Sequence, residues 1–255
     1  MQPKIGLALG GGGIRGFAHL GVLKILKQYH IPVHMIAGTS SGAMAAALYA
    51  LGADLDMTEK IFLSLNWKSL VKVGLHRTGF VDGRNLMELM RMVTKDKNIE
   101  ETAIPLRIVA VDLIKRETVV FDQGKIADAV RASIAIPGIF TPVQKEGRLL
   151  VDGFVLNGCP GDVVRDMGAD IIIAVNLSTR TEDVPENIFD VVLRSLELMS
   201  ETKQENCADI VITPIVKPIG QLDFNKGTEC LQMGEAAARQ AMARIVEIME
   251  NYERC

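Results

Sequence analysis

The residues with the clearest capacity for chemistry stand together as Gly38-Thr39-Ser40-Ser41-Gly42. A serine hydroxyl is a weak nucleophile. A sharp turn from strand to helix projects its oxygen and aims the helix N-terminus at the reacting centre. The flanking sequence supplies both halves of such a turn: residues 33–37 read as a buried strand and residues 43–51 as a helix of small side chains. Glycine on either side keeps Cβ atoms out of the bend. The competing reading of Ser40 is a simple N-cap; the strand–turn–helix setting favours the nucleophile.

A second constellation lies near the N-terminus, Gly10-Gly11-Gly12-Gly13-Ile14-Arg15-Gly16, after an apolar strand at residues 4–9. Gly11, Gly13 and Gly16 have the spacing of a dinucleotide fingerprint. That fingerprint needs an acidic residue about twenty positions further on to hold the ribose, yet the first acidic residue of this chain is Asp54. No Gly-Lys-Ser/Thr follows to make a P-loop, so no nucleotide is expected. What remains is a run of backbone N–H groups leading into a helix, an arrangement that binds anions. Beside Ser40, the N–H groups of Gly11, Gly12 and Gly13 would hold a tetrahedral oxyanion, each donor contributing on the order of 3 kcal/mol. Arg15 either binds a phosphate or locks the loop through a salt bridge.

The nucleophile needs a base. The four histidines are His19, His30, His34 and His76, so none follows residue 76, and a late histidine is what an α/β-hydrolase triad requires. His19 falls on the helix after the glycine loop and reads as a buried packing residue. Asp54, Asp56 and Glu59 sit in a helical or loop stretch rather than on a strand. Asp152 is different: it closes the short strand at 148–151 and precedes Gly153, so it projects from a strand end into a turn. The expected pair is Ser40 with Asp152.

The elements that must carry these residues alternate in type. Strands are expected at 4–9, 33–37, 104–112, 117–121, 148–151, 170–176 and 210–214, and helices at 16–29, 43–51, 126–133, 187–206 and 234–252. The apolar run at 170–176 suits a sheet covered on both faces. Residues 57–91 are less regular and form either a lid or a connecting helical excursion; they include Trp67, His76, Arg77 and Phe80. The last helix carries Ala238, Met242, Ile245, Met249 and Tyr252 on one side. That face is expected to pack against the sheet rather than lie on a membrane.

Composition agrees with one globular α/β domain spanning 1–255. The chain is 48% hydrophobic and 23% charged, ordinary values for a folded protein. A net charge of −3 argues against nucleic acid as a partner. Cys159, Cys207, Cys230 and Cys255 are scattered, with no pairing or metal-ligand spacing, so reduced thiols and no metal or other cofactor are expected. Without a leader or a long apolar run, the expectation is a soluble, cytoplasmic protein with at most transient contact to a membrane surface.

Taken together, these motifs resemble the patatin-like phospholipases, and most closely their compact bacterial members. The glycine loop and the Ser40 pentapeptide are joined, in the family's order, by Arg131-Ala132-Ser133-Ile134-Ala135-Ile136-Pro137-Gly138-Ile139-Phe140. Val151-Asp152-Gly153, running on to Asn157 and Pro160, completes the set. The resemblance implies a three-layer α/β/α fold with a central, mostly parallel sheet. It also implies hydrolysis of lipid acyl esters by a Ser–Asp dyad with the glycine loop as oxyanion hole. One departure stands out: the family follows the aspartate with glycine and then a small residue, where this chain has Phe154. That ring either crowds the site or lines an acyl pocket. The rival expectations are a lipid-binding or regulatory protein of the same fold with little activity, and an esterase or thioesterase for small acyl groups.

Overall fold

The computed structural model describes residues 2–71, 74, 78–178, 184–185, 187–204 and 208–253. His76, Arg77, Cys207 and Cys255 lie outside them. In chain order the elements are β1 (Ile5–Leu9), α1 (Phe17–Gln28), β2 (Met35–Thr39), α2 (Ser41–Ala50), α3 (Leu55–Ser64), α4 (Trp67–Leu70), β3 (Gly79–Val81) and α5 (Arg84–Val93). Next come β4 (Leu106–Asp112), β5 (Glu117–Phe121), α6 (Ile126–Ser133), β6 (Gly138–Phe140), β7 (Val143–Lys145) and β8 (Arg148–Asp152). The chain finishes with α7 (Gly161–Asp166), β9 (Ile171–Val175), α8 (Ile188–Gln204), β10 (Ile210–Ile212) and α9 (Gly227–Glu253).

The central sheet has the order β10-β9-β1-β2-β4-β8-β7, with β5 also on β4. From β10 to β4 every pairing is parallel; β5, β7 and β8 are antiparallel. β1, β2 and β9 are buried throughout, as strands covered on both faces must be. Ile5, Leu7 and Leu9 of β1 point to a core shared with α1, α2 and α6. Ala8 faces a second core with Val163 and Val164 of α7. The result is the expected α/β/α sandwich.

One register explains how Ser40 and Asp152, 112 residues apart, come together. β4 is seven residues long and carries β5 along one edge. Its other edge is shared end to end by β2 and β8. Thr39 pairs with Val109, and Asp152 pairs with the next residue, Ala110. β2 runs parallel to β4 and β8 antiparallel, so their C-terminal ends meet head to head, about one residue rise of 3.3 Å apart along β4.

Two element boundaries differ from expectation for identifiable reasons. Helix α9 begins at Gly227, ahead of Gly234. Gly234 is a contact glycine rather than a helix start: a Cβ there would lie 2.1 Å from the carbonyl oxygen of Ala18 in α1. Accordingly α9 packs chiefly on α1 and also meets the sheet at β10, so the expected contact with the sheet is the smaller part of its interface. Ala238, Met242 and Ile245 are its buried face. Strand β2 starts at Met35 because pairing with β1 begins there, opposite Gly6. Within 57–91 the described residues include α3, α4, α5 and the short β3, with α3 and Trp67 of α4 packing on α1 and α5 on α6.

Candidate active site

Ser40 occupies the bend between β2 and α2 with φ 54° and ψ −122°. A non-glycine residue held there is strained by on the order of 1–3 kcal/mol, and such strain persists only where the surroundings fix it. The surroundings here do so. Gly42 must lack a side chain, because a Cβ would fall 2.1 Å from the carbonyl oxygen of Leu9. Thr39 Oγ1 donates to the carbonyl of Asn157 at 2.9 Å. The Ser40 N–H donates to Ser133 Oγ at 2.8 Å, and that hydroxyl donates onward to the Val109 carbonyl at 2.6 Å.

The hydroxyl of Ser40 donates to Asp152 Oδ2 at 2.7 Å. The other carboxylate oxygen, Oδ1, accepts the Phe154 N–H at 2.9 Å. Asp152 is 1% exposed and Ser40 5%. Burial pushes the Asp152 carboxyl up to about 7, with the hydrogen bonds from Ser40 and Phe154 pulling the other way. A carboxylate with that affinity can take a proton from a hydroxyl and return it near neutral pH.

The glycine loop lies against this pair. A Cβ on Gly11 would sit 3.1 Å from Ser40 Cβ, and one on Gly16 2.6 Å from Ser41 Cβ. The loop's donors are not equivalent, however. The Gly11 N–H is committed to the Gly158 carbonyl at 2.9 Å, which removes Gly11 from the expected set of oxyanion donors. Gly12 and Gly13 have no hydrogen bond from their N–H groups among the described residues, and neither does Ser41 at the start of α2. Sequence reasoning passed over Ser41, although the residue after a nucleophile is a recurrent donor. The contacts of Ser133 and Val109 were also missed, although Ser133 belongs to the motif at 131–140.

Arg15 resolves toward loop support. It is 6% exposed, and its guanidinium donates to the carbonyls of Ile219 and Leu177 and to Glu197 Oε1 at 2.9 Å. His19 is fully buried, its Nε2 2.7 Å from the Gly10 carbonyl, and burial pushes it down to about 4. It is a neutral packing histidine, as expected. Phe154 neither displaces Asp152 nor lines the apolar pocket; its ring packs on the glycine loop, Cδ2 lying 2.7 Å from where a Gly11 Cβ would be.

An apolar cavity of about 110 Å³ opens beside Ser40. It runs along α2 past Ser41, Met44, Ala45 and Leu48, roughly 12 Å of helix rise. Gly13, Phe17 and Leu20 form another wall, and Phe62, Trp67 and Leu86 from the 57–91 excursion close it.

A strained serine on a strand-to-helix turn, bonded to a buried carboxylate in an α/β/α sandwich, defines the class. The patatin-like phospholipase family model matches residues 7–164, and the chain belongs to that family. An uncharacterised NTE family protein of Mycobacterium tuberculosis (strain ATCC 25618 / H37Rv) is 35% identical over 180 residues, 69% of this chain and 50% of that protein. Patatin-like phospholipase domain-containing protein 7 of Mus musculus is 32% identical over 198 residues, 74% of this chain and 14% of that protein. The chain thus spans half of the first relative's length and a small part of the second's. Among solved structures, VipD from Legionella pneumophila superposes with a TM-score of 0.57 at 15% identity, covering 96% of this chain and 67% of that one. Human GIVD cytosolic phospholipase A2, in complex with methyl gamma-linolenyl fluorophosphonate, gives 0.50 at 12% identity, covering 98% and 58%. At these identities the structural likeness concerns the fold.

Proposed function

We propose that this protein is a serine acyl hydrolase of phospholipase A type, cleaving acyl esters of lipids or phospholipids with Ser40 as nucleophile and Asp152 as base. The observation that carries this reading is the 2.7 Å hydrogen bond from Ser40 Oγ to Asp152 Oδ2 at the head of an apolar pocket. Asp152 takes the Ser40 proton as Oγ attacks the ester carbonyl. The free N–H groups of Gly12, Gly13 and Ser41 receive the oxyanion, and Asp152 returns the proton to the departing alcohol. Water, deprotonated by the same carboxylate, then cleaves the acyl-enzyme and releases the acid. Exposed Met57, Ile61 and Leu63 on α3 support a transient contact with a lipid surface at the outer wall of the pocket.

The test is turnover of a chromogenic fatty-acyl ester, together with labelling by a fluorophosphonate probe. Ser40→Ala and Asp152→Asn are each expected to remove turnover while the far-UV circular dichroism stays that of the wild type. Turnover retained by purified Ser40→Ala sinks the assignment. A second reading, an esterase or thioesterase for small acyl groups, is favoured by the size of the cavity. At about 110 Å³ it is smaller than the roughly 150 Å³ engineered cavity that accommodates benzene. Chain-length preference, from short esters to phospholipid vesicles, separates the two.

A further inference from the structure

The segment from the end of α6 to Pro137 has no part in the chemistry just described, yet it touches both members of the dyad. Ser133 Oγ, fully buried, accepts the Ser40 N–H at 2.8 Å and donates to the Val109 carbonyl at 2.6 Å. Two residues on, the Ala135 carbonyl accepts the Asp152 N–H at 2.9 Å. The segment is itself anchored. Arg131, 6% exposed, donates to the carbonyls of Asp82 and Thr141 and to Thr141 Oγ1. Val109 is also the residue opposite Thr39 in the sheet, and its carbonyl oxygen lies 2.5 Å from where a Cβ of Gly153 would be. Ser133 therefore bridges the one point at which β2, β4 and the Asp152 turn converge.

We propose that Ser133 is a positioning residue for the nucleophile: its hydroxyl clamps the strained Ser40 backbone to β4 and sets the direction of Oγ toward Asp152. Both of its hydrogen-bonding functions are used. The hydroxyl proton is committed to the Val109 carbonyl, so a lone pair is left facing the Ser40 N–H. Two consequences follow. Ser40 cannot relax from φ 54° toward an ordinary conformation without breaking that bond. Its N–H is also withheld from the oxyanion, which leaves that role to Gly12, Gly13 and Ser41. The Ala135 carbonyl performs the matching task for Asp152 through backbone alone, so only the Ser40 half of the clamp can be removed by mutating a side chain.

The clamp's catalytic consequence rests on the Ser40–Asp152 reading, and the experiment keeps the two apart. In Ser133→Ala, kcat is expected to fall roughly 100-fold, the cost of a misplaced reacting group, with KM within about two-fold of wild type. The Asp152-governed limb of the pH profile should move to higher pH, because the Ser40 hydrogen bond that pulls the carboxyl down is weakened when Oγ is no longer aimed at it. Ser133→Thr, which keeps the hydroxyl, should recover most of the loss. Val130→Ala removes buried volume from the same helix at a side chain that makes no hydrogen bond to the dyad, and should keep kcat. In parallel, hydrogen exchange at the Ser40 amide should accelerate in Ser133→Ala and not in Val130→Ala. The proposal is overturned if Ser133→Ala keeps kcat within about three-fold, or if Val130→Ala loses as much. If the wild type has no Ser40-dependent turnover, the dyad reading fails by itself. The exchange measurement then decides the clamp alone: unchanged protection of the Ser40 amide overturns it.

Discussion

At the scale of the residue, the proposed dyad is held together by two unfavourable states. Ser40 is strained, and Asp152 is a carboxylate buried with no cation beside it among the described residues. Both leave a thermodynamic signature. With its carboxyl raised from an ordinary 3.8 to about 7 by burial, Asp152 binds its proton more tightly in the folded chain than in the unfolded one across that interval. Stability therefore falls as pH rises from about 4 to about 7, and the cost reaches a few kcal/mol above it. Asp152→Asn is expected to raise the denaturation midpoint at pH 8 and to leave it unchanged at pH 3.5. The same ionisation works in the opposite sense on activity: kcat/KM should climb with pH and level off above about 7, since only the ionised form accepts the Ser40 proton. A flat profile between pH 5 and 8 would remove Asp152 as the base. For Ser40 the matching outcome is that Ser40→Gly, free to adopt φ 54°, gains about 1 kcal/mol of stability while losing turnover. Both residues were legible in the sequence because each sits at a strand end within two residues of glycine, where side chains project from a turn. Ser133 was legible as a member of the motif at 131–140, but its contacts were not. A serine closing a helix gives no sign that its oxygen will meet a strand two elements earlier in the chain. Nor was Gly11's commitment, since its partner, Gly158, lies in a loop that only the finished fold brings near.

At the scale of the element, strand and helix types followed from local apolar pattern, whereas their arrangement around β4 did not. Nothing in the five residues of β8 announces that they continue the edge begun by β2 instead of extending the sheet beyond it. That placement is decided by β5, which already occupies β4's other edge. The start of α9 shows the reverse error, in which a strong local signal is outweighed by packing. Glycine weakens a helix interior by about 1 kcal/mol relative to alanine, so Gly234 reads as a boundary. It stands inside α9 because α1 approaches so closely that any side chain would strike Ala18. Gly234→Ala thus gains propensity and loses the interface. A contact of 2.1 Å to a backbone oxygen cannot be relieved by a rotamer change, so α1 and α9 must separate, a strain of about 1–3 kcal/mol or more. The net outcome expected from urea denaturation is destabilisation. An unchanged or higher midpoint would mean that the two helices can part without loss.

At the scale of the whole molecule, the apolar pocket is the feature least legible in sequence, because it belongs to no single segment. Its walls come from α1, α2, the 57–91 excursion, the stretch after α6 and the loop at 221–224. Trp67 is fixed at its boundary by three contacts. Its indole Nε1 donates to the Phe62 carbonyl at 2.9 Å, and its ring meets Phe17 at 5.9 Å edge-on and Phe62 at 5.6 Å. Each such aromatic pair contributes about 0.5–1.5 kcal/mol beyond its buried area. Pushing the indole aside to admit a long chain therefore competes with the roughly 0.8 kcal/mol gained per methylene buried. A short acyl group fits beside Ser40 without that displacement, whereas a longer one must supply it. Trp67→Ala removes the opposition in advance. Relative to wild type, the variant should turn over long-chain esters in preference to short ones, the ratio of kcat/KM shifting roughly ten-fold for about 1.4 kcal/mol of displacement avoided. The rate on the shortest ester should change little, because the Trp67 indole hydrogen-bonds to the Phe62 carbonyl and not to Ser40 or Asp152. The measurement is kcat/KM across a homologous series of acyl esters for both proteins. A parallel loss at every chain length would mean that Trp67 supports the fold and leaves the acyl chain undiscriminated.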